Sequence, residues 1–219
     1  MNDFQKHYAL WDEFLSVWPA SRLATMTLDE YSLAGSKDTF TYWIESRLDE
    51  LGSIWGGSSF KFGVFSRKDT EGKKSDAKLS YSDTHGWYST YGSSAEEAFG
   101  KVRSYIVHLA TLAAQGDVDS IEAFNHLGEA FKWKIAFHYQ NRQTPSIVDI
   151  FKRTMLAAFV GDTANQSMAT LQKAALAKRP VEIGILEFGY QVWEAWSQKN
   201  LTIWKLSHGN SPNFTDAER

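Results

Sequence analysis

The stretch Phe131-Lys132-Trp133-Lys134-Ile135-Ala136-Phe137-His138-Tyr139 decides how much sheet the second half of the chain contains. Phe131, Trp133, Ile135, Phe137 and Tyr139 alternate with Lys132, Lys134 and His138, which is the two-residue period of a strand with one wet face. On that reading Lys132 and Lys134 point into water. Ala136 interrupts the alternation with an apolar residue, so a buried helix stays open at this point.

Downstream, Ile147 to Phe151 predicts a strand, Lys152 to Val160 a helix, and Met168 to Lys178 a helix stopped by Pro180. Pro180 suits the first turn of a last helix, whose face is Val181, Ile185, Phe188, Val192 and Trp196, and Leu201 to Leu206 predicts a final strand. Upstream, Ser94 with Glu97 forms a capping-box pattern, and Ala98, Val102, Ile106, Leu109 and Leu112 keep helical register until Gly116. A shorter helix is expected to end at Gly128. Phe60, Phe62 and Val64 alternate, and Lys78 to Ser82 and Trp87 to Tyr91 are β-prone, so a small antiparallel sheet is expected here. Ser66 to Ala77 would be its exposed hairpin loop and Asp83 to Gly86 its next turn.

The N-terminal quarter is helical by the same reasoning. Phe4, Tyr8, Trp11, Phe14, Leu15 and Trp18 recur at three and four, and Pro19 stops them. Thr27 and Glu30 form a capping box, and Phe40, Trp43, Ile44, Leu48 and Leu51 outline a helix closed by Gly52. No Pro-, Gly- or Ser-rich linker divides the chain. The expected fold class is α+β: a mostly helical single domain with a small antiparallel sheet, over residues 1–200, with 201–219 the start of a following module that is cut short.

Composition limits the function classes. The chain has 219 residues, 43% hydrophobic and 22% charged, with 23 Lys plus Arg against 26 Asp plus Glu and a net charge of −3. A disordered tail and a supercharged nucleic-acid arm are excluded, so attraction to a polyanion has to come from local patches. There are no cysteines, hence no disulfide, thiolate metal site or thiol nucleophile. No apolar run reaches the about 18 residues of a membrane helix, and Met1 to Lys6 does not open a signal peptide, so a cytoplasmic protein without membrane contact is expected.

Catalytic patterns are weak. Gly56-Gly57-Ser58-Ser59-Phe60-Lys61 and Phe99-Gly100-Lys101-Val102 both lack the Gly-Lys-Ser/Thr ending of a phosphate loop. No serine sits in a Gly-x-Ser-x-Gly turn, and the six histidines show no helical i, i+4 pairing. Asp49 with Glu71-Gly72-Lys73 has the order of a metal-dependent nuclease site, but Glu71 lies in a charged loop instead of an apolar strand. No catalytic residue, metal ligand or cofactor is assigned.

The stronger signal is basic and aromatic together. Lys61, Arg67, Lys68, Lys73, Lys74 and Lys78 share a stretch with Trp55, Trp87, Tyr88 and Tyr91. Cations there would hold phosphates while rings stack on bases or line a pocket for a base taken out of the stack. Asp69, Glu71 and Asp76 neutralise half of those charges. Lys132, Lys134, Arg142, Lys152 and Arg153, opposed by Asp149, would extend the footprint.

Thr27-Leu28-Asp29-Glu30-Tyr31, Asp38 to Glu45, Leu51-Gly52-Ser53-Ile54-Trp55-Gly56-Gly57-Ser58-Ser59-Phe60-Lys61-Phe62-Gly63 and Phe131 to Phe137 together resemble an N-terminal domain of McrB-like restriction NTPases, over about residues 23 to 209. The resemblance implies a non-catalytic module that selects the target, often DNA carrying modified bases, for anti-phage defence. It further implies that a small β-rich module, begun by Ile203 to Gly209, and a nucleotide-hydrolysing AAA+ motor follow, and that the motor recruits a nuclease subunit. It transfers no binding residue. The expectation is therefore a DNA-binding module contacting phosphate through the six basic residues and bases through the four rings. Neutralising about four phosphates would give a log-affinity against log-salt slope of about −3.6. A protein-interaction module that senses a phage protein is the alternative.

Overall fold

The computed structural model describes residues 4–56, 58–68 and 77–208, with side chains described to residue 199. Among them are ten α-helices and one three-stranded antiparallel sheet, a mostly helical α+β fold. The longest helices are α1 (Phe4–Val17), α5 (Ala95–Gln115), α7 (Glu129–Tyr139) and α10 (Ile185–His208). Between them lie α2 (Ala20–Leu23), α3 (Leu28–Tyr31), α4 (Phe40–Tyr42) and α6 (Val118–Ala123), then α8 (Arg153–Val160) and α9 (Met168–Leu176). The expected capping box at Thr27 is complete: its side chain accepts from the Glu30 N–H, while the Glu30 carboxylate accepts from the Thr27 N–H at 2.8 Å. Gly116 ends α5 at φ 71° in the left-handed region, where a glycine carries no Cβ penalty.

Phe131 to Tyr139 is α7, not a strand, and every one of its side chains is buried. A helix enclosed on all sides needs no polar face, so the alternation of lysine with aromatic residues reports no exposure. The expected water-facing lysines are instead internal. Lys134 is 0% exposed and donates from Nζ to the Leu48 carbonyl at 2.8 Å, and Lys132 donates to the Glu122 carbonyl at 3.0 Å. α7 packs against α5 and against α1, where Trp11 stacks on Phe137 at 4.5 Å and donates to the His138 carbonyl at 2.9 Å. His138 gives its Nδ1 to the Lys134 carbonyl at 2.7 Å, and burial lowers its pKa to about 3, so it is neutral in the core.

Two further expected strands are absent. Ile147 to Phe151 is extended but pairs with no strand, because two buried glutamine amides take its backbone groups. Gln140 Oε1 accepts from the N–H groups of Ser146 and Ile147, and its amide nitrogen donates to the Ile147 carbonyl. Gln172 accepts from Val148 N–H at 2.7 Å and donates to the Val148 and Ile150 carbonyls. Leu201 to Leu206 lies in α10, whose backbone continues without interruption to His208. α10 begins at Ile185, since Ile183 N–H closes a turn on Pro180 first.

The sheet also differs in topology. β1 (Val64–Ser66) and β2 (Leu79–Tyr81) each pair antiparallel with β3 (His85–Tyr88), in the order β1-β3-β2. β1 and β2 therefore run parallel with β3 between them and form no hairpin with each other; residues 69–76 of the expected hairpin loop lie outside the described residues. The hairpin is β2–β3. Phe60 and Phe62, expected in the first strand, lie in a 3₁₀ turn (Ser59–Phe62) just before it, and the helix before Gly128 ends at Ala123. Trp43–Arg47 continues α4 as a π-helical turn.

Candidate functional site

The sequence-predicted basic and aromatic residues do not form one surface among those described. Ser66 faces His85 and Leu79 faces Tyr88, so Arg67 and Lys68 follow one end of β3 while Lys78 precedes the strand at the other end. Three residue steps of strand put about 10 Å between those ends. Arg67 donates to the Ser82 carbonyl at 2.6 Å and lies over Tyr81. Lys61 is committed elsewhere: its ammonium donates to Glu45 Oε1 at 2.5 Å and to the carbonyls of Ile54 and Gly56, each at 2.9 Å. Trp87 is 4% exposed and donates to the Gly92 carbonyl, so its faces are covered by core. Tyr88 and Tyr91 are half-buried and meet edge to face at 5.4 Å, with the Tyr91 hydroxyl donating to the His126 carbonyl. Burial raises the Tyr91 phenol to about 12. Trp55 alone of the four rings is open, at 77% exposure. Lys73 and Lys74, with Glu71 of the nuclease-like pattern, lie outside the described residues. In the second basic stretch, Arg142 pairs with Asp12 and Arg153 with Glu129, which leaves Lys152 exposed.

A concave surface lies elsewhere. A cleft of about 710 Å³ opens between the start of α1, the turn at residues 49–53, the extended segment 149–152 and one face of α10. Leu186, Gly189, Tyr190, Trp193 and Trp196 recur at helical spacing on that face. Phe4 and Phe151 supply further rings, with Phe4 edge-on to Tyr190 at 6.0 Å and Tyr190 tilted on Trp193 at 5.7 Å. Tyr190 is 37% and Trp193 45% exposed, so ring surface remains open at the mouth. Lys6 and Lys152 stand against Asp49 and Glu50 among the lining residues, which leaves the mouth near charge balance.

Asp149 lines the same cleft and is buried, and its Oδ1 has no hydrogen-bond partner. Burial pushes its pKa up to about 7, against the opposing pull of the Lys134 charge. Burial likewise lowers Lys134 to about 7, with Asp49 and then Asp149 acting to raise it. Near neutrality this carboxyl can therefore accept hydrogen bonds or, protonated, present a donor beside an acceptor. Two glycines create its seat. A Cβ on Gly52, at φ 88°, would lie 2.3 Å from the Asp149 carbonyl oxygen. A Cβ on Gly189 would lie 1.6 Å from Asp149 Oδ1, so α10 accepts the carboxyl only where it has no side chain. Gly189→Ala is expected to drive Asp149 out of that seat and to cost about 1–3 kcal/mol in a urea titration, and a neutral result would show that the carboxyl has a second resting place.

The cleft escaped sequence reasoning because its walls come from four distant segments. The signal that could have found it is Gly189 within an otherwise bulky helical face, together with Asp149 alone in an apolar run. Among the described residues, no cluster of three or more His, Asp or Glu side chains is placed to hold a metal ion, and no helix is long and apolar enough to cross a membrane. Compared with models of known families, with curated proteins and with solved structures, the chain matches none.

Proposed function

We propose that this chain is the non-catalytic target-recognition module of a McrB-like restriction or anti-phage system, and that it binds DNA by taking one base, modified or not, into the Asp149 cleft. The carrying observation is a ring-lined cavity of about 710 Å³ with the Asp149 carboxyl among its lining groups. That volume lies within the usual range of nucleotide-sized ligand sites. Aromatic walls stack on a base, and a carboxyl that accepts or donates near pH 7 matches the mixed donor and acceptor edge of a base. The AAA+ motor and nuclease subunit remain partners proposed through the resemblance, in a cytoplasmic setting.

The cleft changes the expected salt dependence. Lys6 and Lys152 at its mouth would neutralise about two phosphates, so log affinity for a duplex should fall against log salt with a slope of about −1.8, half that of a four-phosphate grip. Indole fluorescence should fall on titration with oligonucleotides carrying 5-methylcytosine, 5-hydroxymethylcytosine, N6-methyladenine or only ordinary bases. A slope near −3.6 would return the site to the basic loop after β1. The second reading, a protein-interaction surface, is favoured by the exposed Tyr190 and Trp193, and it predicts that no oligonucleotide alters the fluorescence.

A further inference from the structure

The loop of Ser53 to Gly56 carries the most exposed ring among the described residues, and it is not a loose loop. Lys61 reaches under it and bonds the two carbonyls that flank Trp55, those of Ile54 and Gly56, while Glu45 balances the ammonium. Ser53 Oγ also accepts from the Trp55 N–H at 3.3 Å. Ile54 is buried below, so the loop is pinned from both sides while the indole stands 77% exposed. An exposed indole on a braced loop forfeits burial without gaining mobility, which is the arrangement of a side chain that finds its apolar surroundings in a bound partner. The residues around it are small: Gly52, Ser53, Gly56 and Ser58 add little bulk, which lets the ring enter a narrow gap.

Trp55 follows the cleft-lining turn by two residues. Ser53 and Gly52 line the cleft, and two residue steps cannot separate Trp55 from Ser53 by more than about 7 Å between Cα atoms. Neighbouring bases in a duplex are about half that distance apart. From this, and resting on the base-pocket reading above, we infer that Trp55 is a wedge: it occupies the stack at the position vacated by the base that enters the cleft. Extruding a base from a duplex costs unstacking and unpairing, and a flat apolar side chain inserted between steps offsets that cost. Lys61 is the positioning residue that keeps the indole erect.

The test separates the wedge from the pocket. Trp55→Ala, at a surface site that leaves folding intact, is measured for binding to the best oligonucleotide of the series as an intact duplex, as the same duplex with an abasic site opposite the bound base, and as the single strand. The wedge predicts at least about a tenfold loss for the intact duplex, with the abasic and single-stranded forms changed less than about twofold. Trp55→Phe should restore most of the duplex affinity, and Lys61→Met should lose part of it with the indole still present. Equal loss on all three forms would make Trp55 an ordinary stacking contact, and no loss on the duplex would remove it from the interface; either overturns the wedge while leaving the cleft intact. Absence of binding by the unmutated protein to every form, single strand included, would instead overturn the base-pocket reading, and the wedge with it.

Discussion

Lys134→Ala is expected to lower the unfolding free energy by about 3–5 kcal/mol, the penalty typical of removing one member of a buried polar or ionic arrangement. Three losses coincide at that position. The Leu48 carbonyl loses its 2.8 Å donor, the fully buried side chain leaves a cavity, and the charge that favours ionised Asp149 disappears. Lys134→Met keeps most of the volume and removes only the ammonium, so it should cost less, about 1–3 kcal/mol. Because Leu48 stands just before the turn that forms one wall of the cleft, the methionine variant should also bind more weakly while remaining folded. Urea titrations at pH 7 of the two variants would check the order. A loss under about 1 kcal/mol for the alanine variant would mean that the turn holds without the lysine.

Asp149→Asn is the second large effect, and it separates function from stability. An amide cannot present an anionic acceptor to the ligand, so affinity should fall at least about tenfold, as for other hydrogen bonds to charged groups. Stability should move differently. The native carboxyl titrates at about 7, above the ordinary aspartate value, so from about pH 4 to 7 the native state holds a proton that the unfolded chain has released. Stability from this group is therefore complete below about pH 4 and is lost as pH rises through 7. Lys134 contributes the opposite limb: its native value of about 7 lies below the ordinary lysine value, so its contribution grows from about pH 7 towards 10. The unmutated protein should show a local minimum of stability near pH 7 from these two groups. Asp149→Asn should remove the falling limb and be no less stable at pH 8, and a fall between pH 4 and 7 as steep as in the unmutated protein would assign that limb to other residues.

Sequence patterning located most helices because their apolar faces and caps are local properties. Thr27 with Glu30, Ser94 before α5, and Gly116 at its end each satisfy backbone groups within one turn, and each fell where the residue types placed it. The failures share one cause. Phe131 to Tyr139 and Ile147 to Phe151 are enclosed by other segments, so polar residues there answer to buried backbone groups and not to water. Run length was the better guide for α7, since ten residues from Ala130 to Tyr139 contain no turn former and exceed an ordinary strand.

The candidate site was less legible still. Trp55, one of the four rings expected to contact bases, is exposed. Trp87 is of the same residue type within the same stretch, yet it is buried in β3 and donates its indole N–H to the Gly92 carbonyl. Lys61 counts as a cation in any tally, but three acceptors already surround it. Charge tallies along a chain do not register such commitments.

The clamp on residues 147–150 has a consequence for how such a chain can change over generations. Gln140 and Gln172 grip main-chain atoms, which every residue type except proline offers alike. A change of side chain at position 149 therefore leaves those main-chain bonds in place, and the limit on such a change comes from the close seat against Gly189.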